Sequence, residues 1–91
     1  SEQDNRQIDL LTLGNLRQRI AAFLLEEQRK AGTGSRIIHL TLNREELAAF
    51  LNTTRPSLSR MLLQMQEEGL LRLVSRSQIE ITQEQELHAL L

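Results

Sequence analysis

Two short segments with helical apolar spacing stand almost end to end in this chain. Leu47, Phe50 and Leu51 make the inner stripe of the first, over roughly residues 44–51. Leu58, Met61, Leu62 and Met65 make that of the second, over about 54–68. Their ends are marked chemically. Asn43-Arg44-Glu45-Glu46 resembles a capping box, in which the Asn43 side chain accepts from a first-turn amide while Glu46 reaches back. Asn52 tolerates the left-handed conformation of a tight turn, Thr53 or Thr54 caps the second helix, and Pro56 sits in its first turn, where a missing amide hydrogen costs little. Gly69 closes it as a C-terminal cap. Two helices separated by a turn of about three residues cannot lie parallel; they cross steeply.

The flanks supply the rest of a small fold. Leu13, Leu16, Ile20, Phe23 and Leu24 predict a helix over roughly 15–30, with Asn15 as its cap, and Ile8, Leu10 and Leu11 belong to a preceding element. Gly32-Thr33-Gly34-Ser35 reads as a turn. From Arg36 to Leu42 the chain alternates, with Ile38, Leu40 and Leu42 on one face, which predicts a short half-buried strand. Leu70–Val74, a turn at Ser75-Arg76-Ser77 and Gln78–Thr82 read as a small hairpin whose second strand turns Ile79 and Ile81 to one side. Residues 83–91 suit a short acidic helix. The expected fold is mainly α with a small β-hairpin.

Composition narrows the function. Ninety-one residues make one small domain or a piece of something larger, with room for one modest core. Nineteen Leu against a single Val favour helix over sheet. The net charge of −1 excludes a uniformly basic coat for nucleic acid or membrane. Charge is nevertheless segregated: residues 55–76 hold four basic and two acidic side chains, and residues 80–91 hold three acidic and none basic. Ten of the eleven basic residues are Arg, which suits bidentate contact with phosphates and base edges. Without Cys there is no disulfide, thiol chemistry or iron–sulfur ligation in this chain. No apolar run approaches the ~18 residues of a membrane span, and the expected location is cytoplasmic.

Steeply crossed helices present the outer face of the second one to a partner. With Leu58 at the centre of the buried face, Pro56, Arg60, Leu63, Gln64 and Glu67 point outward, Ser57 and Ser59 flank them, and Arg55 stands at the N-terminal tip. Such a tip suits the DNA major groove: Arg bonds guanine O6 and N7 together, and hydroxyls and free amides hold phosphates. Arg76 at the hairpin tip suits a phosphate contact or a minor-groove reach, and Arg17 and Arg36 are placed to add backbone contacts.

Leu42-Asn43-Arg44-Glu45-Glu46-Leu47-Ala48, Leu51 through Arg60, and Glu67-Glu68-Gly69-Leu70-Leu71 resemble the winged-helix DNA-binding domain of the Crp/Fnr family of transcription regulators. Leu16 to Ala21 resembles that family's segment after its long dimer helix, and the similarity covers about residues 8–82. The resemblance implies a winged helix-turn-helix over 15–91, with residues 1–14 the remnant of a dimer helix and hinge. It implies double-stranded DNA with an imperfect palindrome as partner, and a homodimer in the intact parent. It also implies no cofactor in this chain, effector binding belonging to a sensory domain of the parent. By position Arg55, Pro56 and Arg60 occupy base-reading places, with Ser59 beside them. Thr54, Ser57 and Arg17 occupy phosphate places, and Arg44 is a weaker candidate. Two departures stand out. Pro56 replaces the Glu of many members, which accepts from cytosine N4, so a different target sequence follows; Asn52 replaces the usual turn Gly.

Other constellations carry less. Glu26-Glu27, Glu45-Glu46 and Glu67-Glu68 are adjacent pairs whose side chains diverge by about 100° on a helix, so they read as solvated faces and caps rather than catalytic dyads. His39 and His88 have no partner at metal-ligand spacing. Met61 and Met65 are core fillers. No phosphate-binding glycine loop or nucleophile elbow is present, and an enzyme is not expected. The rival reading is a winged helix used for protein association, through Leu63 or through Ile8, Leu10, Leu11 and Leu13.

Overall fold

A computed structural model of the chain describes residues 14–32 and 34–91. Helix α1 (Leu16–Ala31) starts at Asn15, whose side chain accepts from the Gln18 amide while Gln18 returns the bond to the cap backbone. Its buried stripe, Ile20, Phe23 and Leu24 with Ala21 and Leu25, lies against the sheet, the second motif helix and the C-terminal helix. Strand β1 is Ile37–His39, shorter than the alternation over 36–42 implied. Ile38 and Leu40 are buried as expected, but the chain leaves the sheet at Leu40 to reach the Asn43 cap.

Helix α2 (Arg44–Phe50) is capped by the reciprocal Asn43–Glu46 box. Its inner side is Leu47, Ala48 and Leu51; Phe50, placed inside by its spacing, is 51% exposed. Leu47, Ala48 and Leu51 centre the buried side of this helix, and at 100° per residue Phe50 lies about 100° round from that centre. The Phe50 ring instead meets Phe23 edge to face at 5.7 Å between centroids. Asn52 turns the chain at φ +60°, the left-handed geometry its side chain tolerates. Thr54, not Thr53, caps α3 (Arg55–Glu67). Leu58, Leu62 and Met65 are fully buried, and Met61 packs partly exposed beside them. Each such Leu removed from water contributes about 1.5–3 kcal/mol. At the far end Gly69 adopts φ +84° while its amide bonds Gln66 O and that of Leu70 bonds Met65 O, the paired closure of a Schellman cap.

Strands β2 (Leu71–Ser75) and β3 (Gln78–Ile81) form the hairpin. Its turn is Arg76-Ser77 only, and Val74 is an extra residue between the Leu73–Ile79 and Ser75–Gln78 pairs, a bulge that twists the hairpin end. The hairpin does not stand alone. β1 pairs antiparallel with β3, Ile38 opposite Ile79, so three strands lie in the order β1-β3-β2. Ile38, Leu71, Ile79 and Ile81 turn inward onto α1 and α3. Helix α4 (Glu84–Ala89) seats Leu87 in the same core, and Gln18 Nε2 donates to Leu90 O across the α1–α4 seam. The expected dimer-helix remnant lies outside the described residues, apart from Gly14.

Candidate nucleic-acid interface

The first turn of α3 is built by short polar side chains. Thr54 Oγ1 accepts from the Ser57 amide at 3.3 Å and donates to Ser57 Oγ at 3.0 Å. Ser57 Oγ also accepts from Arg60 Nη2 at 3.5 Å. Thr54, Ser57 and Arg60 thus form one chain of hydrogen bonds along the helix edge. This changes the expectation of several free amides at the tip. Pro56 has none and that of Ser57 serves the cap, which leaves the amides of Thr54 and Arg55 as the tip's remaining backbone donors. Contacts to an anion here depend on side chains.

Along the outward face Pro56, Arg60, Leu63, Gln64 and Glu67 are all exposed, as the 100° stepping required, with Ser57 and Ser59 half-buried at its flanks. Tertiary structure adds what the spacing could not. The starts of α2 and α3 and the hairpin tip converge on a concavity of about 500 Å³ lined by Asn43, Arg44, Glu45, Arg55 and Arg76. Three guanidinium groups face one carboxylate there. Arg44 Nη1 donates to Arg76 O at 3.3 Å, tying α2 to the hairpin tip through the main chain. Burial of the Arg44 guanidinium, and then the like charge of Arg55, lower its pKa from the usual arginine range. The group remains a cation at neutral pH, and an anion in the concavity relieves both penalties.

Arg17 is placed differently. Its two terminal nitrogens grip both carboxylate oxygens of Glu68, the Nη2–Oε2 arm at 2.8 Å, with the Nη1–Oε1 arm closing the fork. This pair joins α1 to the end of α3, rather than to an acid on the arginine's own helix. It holds Glu68 well below the ordinary carboxylate range, at about 2, chiefly by the hydrogen bond from Arg17. Two of the five guanidinium donors of Arg17 are thereby committed to Glu68. Arg36 is exposed before β1, away from the concavity.

Two positioning groups escaped the sequence reading. Arg19 Nε donates to Leu51 O at 2.9 Å, which fixes the C-cap carbonyl of α2 against α1 at the start of the turn between the crossed helices. Gln66 Oε1 accepts from the Leu73 amide at 2.7 Å and locks α3 to β2. Neither carries a local signal, because each partner lies on another element. Glu45 also went unnoticed as a lining residue. Among the described residues no cluster of His, Cys, Asp or Glu has the makings of a metal site, and no helix is long and apolar enough to cross a membrane.

A capped helix pair crossing at a tight left-handed turn, followed by a β-hairpin paired to an upstream strand, defines a winged helix-turn-helix. The family model described as the Crp-like helix-turn-helix domain matches residues 18–90. The chain belongs to this family, the DNA-binding domain of Crp/Fnr transcription regulators. Among solved structures it is similar to a CooA variant from Carboxydothermus hydrogenoformans, at 29% identity over 87% of this chain and 38% of that one, with a TM-score of 0.77. FixK2 from Bradyrhizobium japonicum shares 31% identity over 89% of this chain and 41% of its own, TM-score 0.76. A Crp/Fnr family regulator from Eubacterium rectale shares 34% over 88% and 35%, TM-score 0.71. The chain thus spans about two fifths of the length of these relatives. No curated protein matches it.

Proposed function

We propose that this domain reads DNA sequence with α3 in the major groove and sets the hairpin, residues 70–82, against the phosphate backbone. Arg55, Pro56, Ser59 and Arg60 meet base edges, Arg60 as a bidentate donor to guanine. Thr54, Ser57, Arg44 and Arg76 hold phosphates, and Arg17 joins them when it leaves Glu68. The observation that carries this reading is the convergence of Arg44, Arg55 and Arg76 on one concavity beside the exposed first turn of α3. Three separate elements supply cations to one place on a chain whose net charge is −1. Phosphate contacts there fix the helix's register, and the side chains of the outward face then discriminate bases.

In the intact regulator two such domains, related by a dimer axis, read the halves of an imperfect palindrome. Effector sensing lies in this reading in a further domain of that regulator, and the 91-residue chain binds DNA without a cofactor. The similar CooA protein of Carboxydothermus hydrogenoformans is a CO-dependent transcription factor. The test is selection of duplexes from a randomised library at low salt. Enrichment of one short motif, with affinity falling steeply as salt rises, is the expected result. A folded domain that binds no duplex at any salt overturns it in favour of protein association.

A further inference from the structure

Leu63 is 51% exposed in the middle of α3, on the outward face. The core already has its side of this helix in Leu58, Leu62 and Met65, so Leu63 makes no structural contribution of that kind. It is not part of an apolar patch on its helix: its neighbours on the same face are Arg60, Gln64 and Glu67, all exposed. Among the described residues the other large exposed apolar side chains, Phe50, Val74 and Leu91, lie outside α3. A single leucine ringed by polar groups falls far short of the ~800 Å² per partner of a stable protein interface. It matches something smaller.

The spacing says what. Pro56, Arg60 and Leu63 form one ridge, four and then three residues apart. At 1.5 Å per residue the ridge runs about 10 Å, the rise of about three base pairs at 3.4 Å each. In the major groove the one apolar feature of any base is the C5 methyl of thymine. The geometry points to Leu63 as a specificity-determining residue that packs on a thymine methyl, one to two base pairs beyond the pair read by Arg60. This rests on the groove-reading role of α3. Glu67, one turn further along the same face, carries a charge that phosphates repel, and so limits how far the ridge continues into the groove.

The experiment uses the 91-residue chain and the duplex it selects. Each thymine of the selected half-site is replaced in turn by deoxyuridine, which deletes only the methyl group and keeps the pairing. Binding is measured for the unaltered chain, Leu63→Ala and Arg60→Ala. At one position uracil weakens the unaltered chain about three- to tenfold, the loss expected for one buried methyl and its packing. The same replacement leaves Leu63→Ala unaffected, and selection with that variant no longer prefers thymine there. If uracil at every position affects both chains equally while Arg60→Ala has lost its preferred base, the leucine assignment is wrong and the groove reading stands. If the unaltered chain binds every duplex equally and selects no motif, the groove reading itself fails, and this inference with it. A Leu63→Ala chain that selects an unchanged motif and sediments as a smaller species than the parent assigns the leucine to self-association and overturns the proposal.

Discussion

Arg76→Ala isolates one electrostatic contact without disturbing the fold. Arg76 occupies the two-residue turn between β2 and β3 and is exposed, and the bond that ties this turn to α2 uses its carbonyl, not its side chain. Stability is therefore expected to change by no more than about 0.5 kcal/mol. The effect on DNA binding follows from counterion release. Each neutralised phosphate contributes about 0.9 to the slope of log K against log salt, so raising salt fourfold, from about 50 to 200 mM, weakens binding about 3.5-fold per contact. The two concavity arginines assigned to phosphates, Arg44 and Arg76, account for about 12-fold between those salts if each neutralises one phosphate. Removing Arg76 leaves one, about 3.5-fold. Anisotropy of a labelled duplex, titrated across that salt range with parent and variant, reads the difference directly. The preferred sequence stays the same, because a phosphate contact carries no base information. An unchanged slope removes the hairpin tip from the DNA backbone. A changed sequence preference makes Arg76 a base-reading residue, and either result refutes the reasoning.

Three further outcomes are expected. Arg60→Ala weakens binding to the selected duplex by about 1–3 kcal/mol and relaxes selectivity at one base pair; an equal loss on all sequences, measured by competition, makes it a phosphate contact instead. Asn52→Ala, forced to hold φ +60° without an amide side chain, lowers unfolding free energy by about 1 kcal/mol in urea titration, whereas Asn52→Gly is nearly neutral; equal effects of the two remove the backbone-strain explanation. For Glu68 the sign follows from its depressed pKa of about 2. The pair with Arg17 stabilises the fold fully above the ordinary carboxylate range and is lost as pH falls toward 2, so the small Tm advantage over Glu68→Gln should vanish between about pH 5 and 2. An advantage that persists at pH 2 assigns the difference to something other than the carboxylate charge.

Much of the interface was legible because its determinants are local. Asn15, Asn43 and Thr54 cap the helices their spacing marks out, and Gly69 ends α3, since a cap bonds amides only two or three residues away. The exposed ridge of α3 followed from the 100° period alone. The misreadings are equally physical. Phe50 has the spacing of a core residue, but with Leu47, Ala48 and Leu51 under the core it lies beyond the edge of the buried side. The strand expected over 36–42 stops at His39, because alternation shows which residues would face inward and not where the partner strand ends.

Local sequence suffices for the set of elements, most of their ends, and the outward face of the second motif helix. These depend on residues within one or two turns of each other, where chain connectivity already holds the partners close. Packing between elements settles the rest: β1 joins β3, Arg17 is held by Glu68, and Arg44, Arg55 and Arg76 share one concavity. Each of these brings together residues from different elements, Arg17 and Glu68 being 51 positions apart. Such meetings are set by how the helices and sheet pack around Leu24, Leu47, Leu58 and Ile79, and no periodicity in a single segment encodes them.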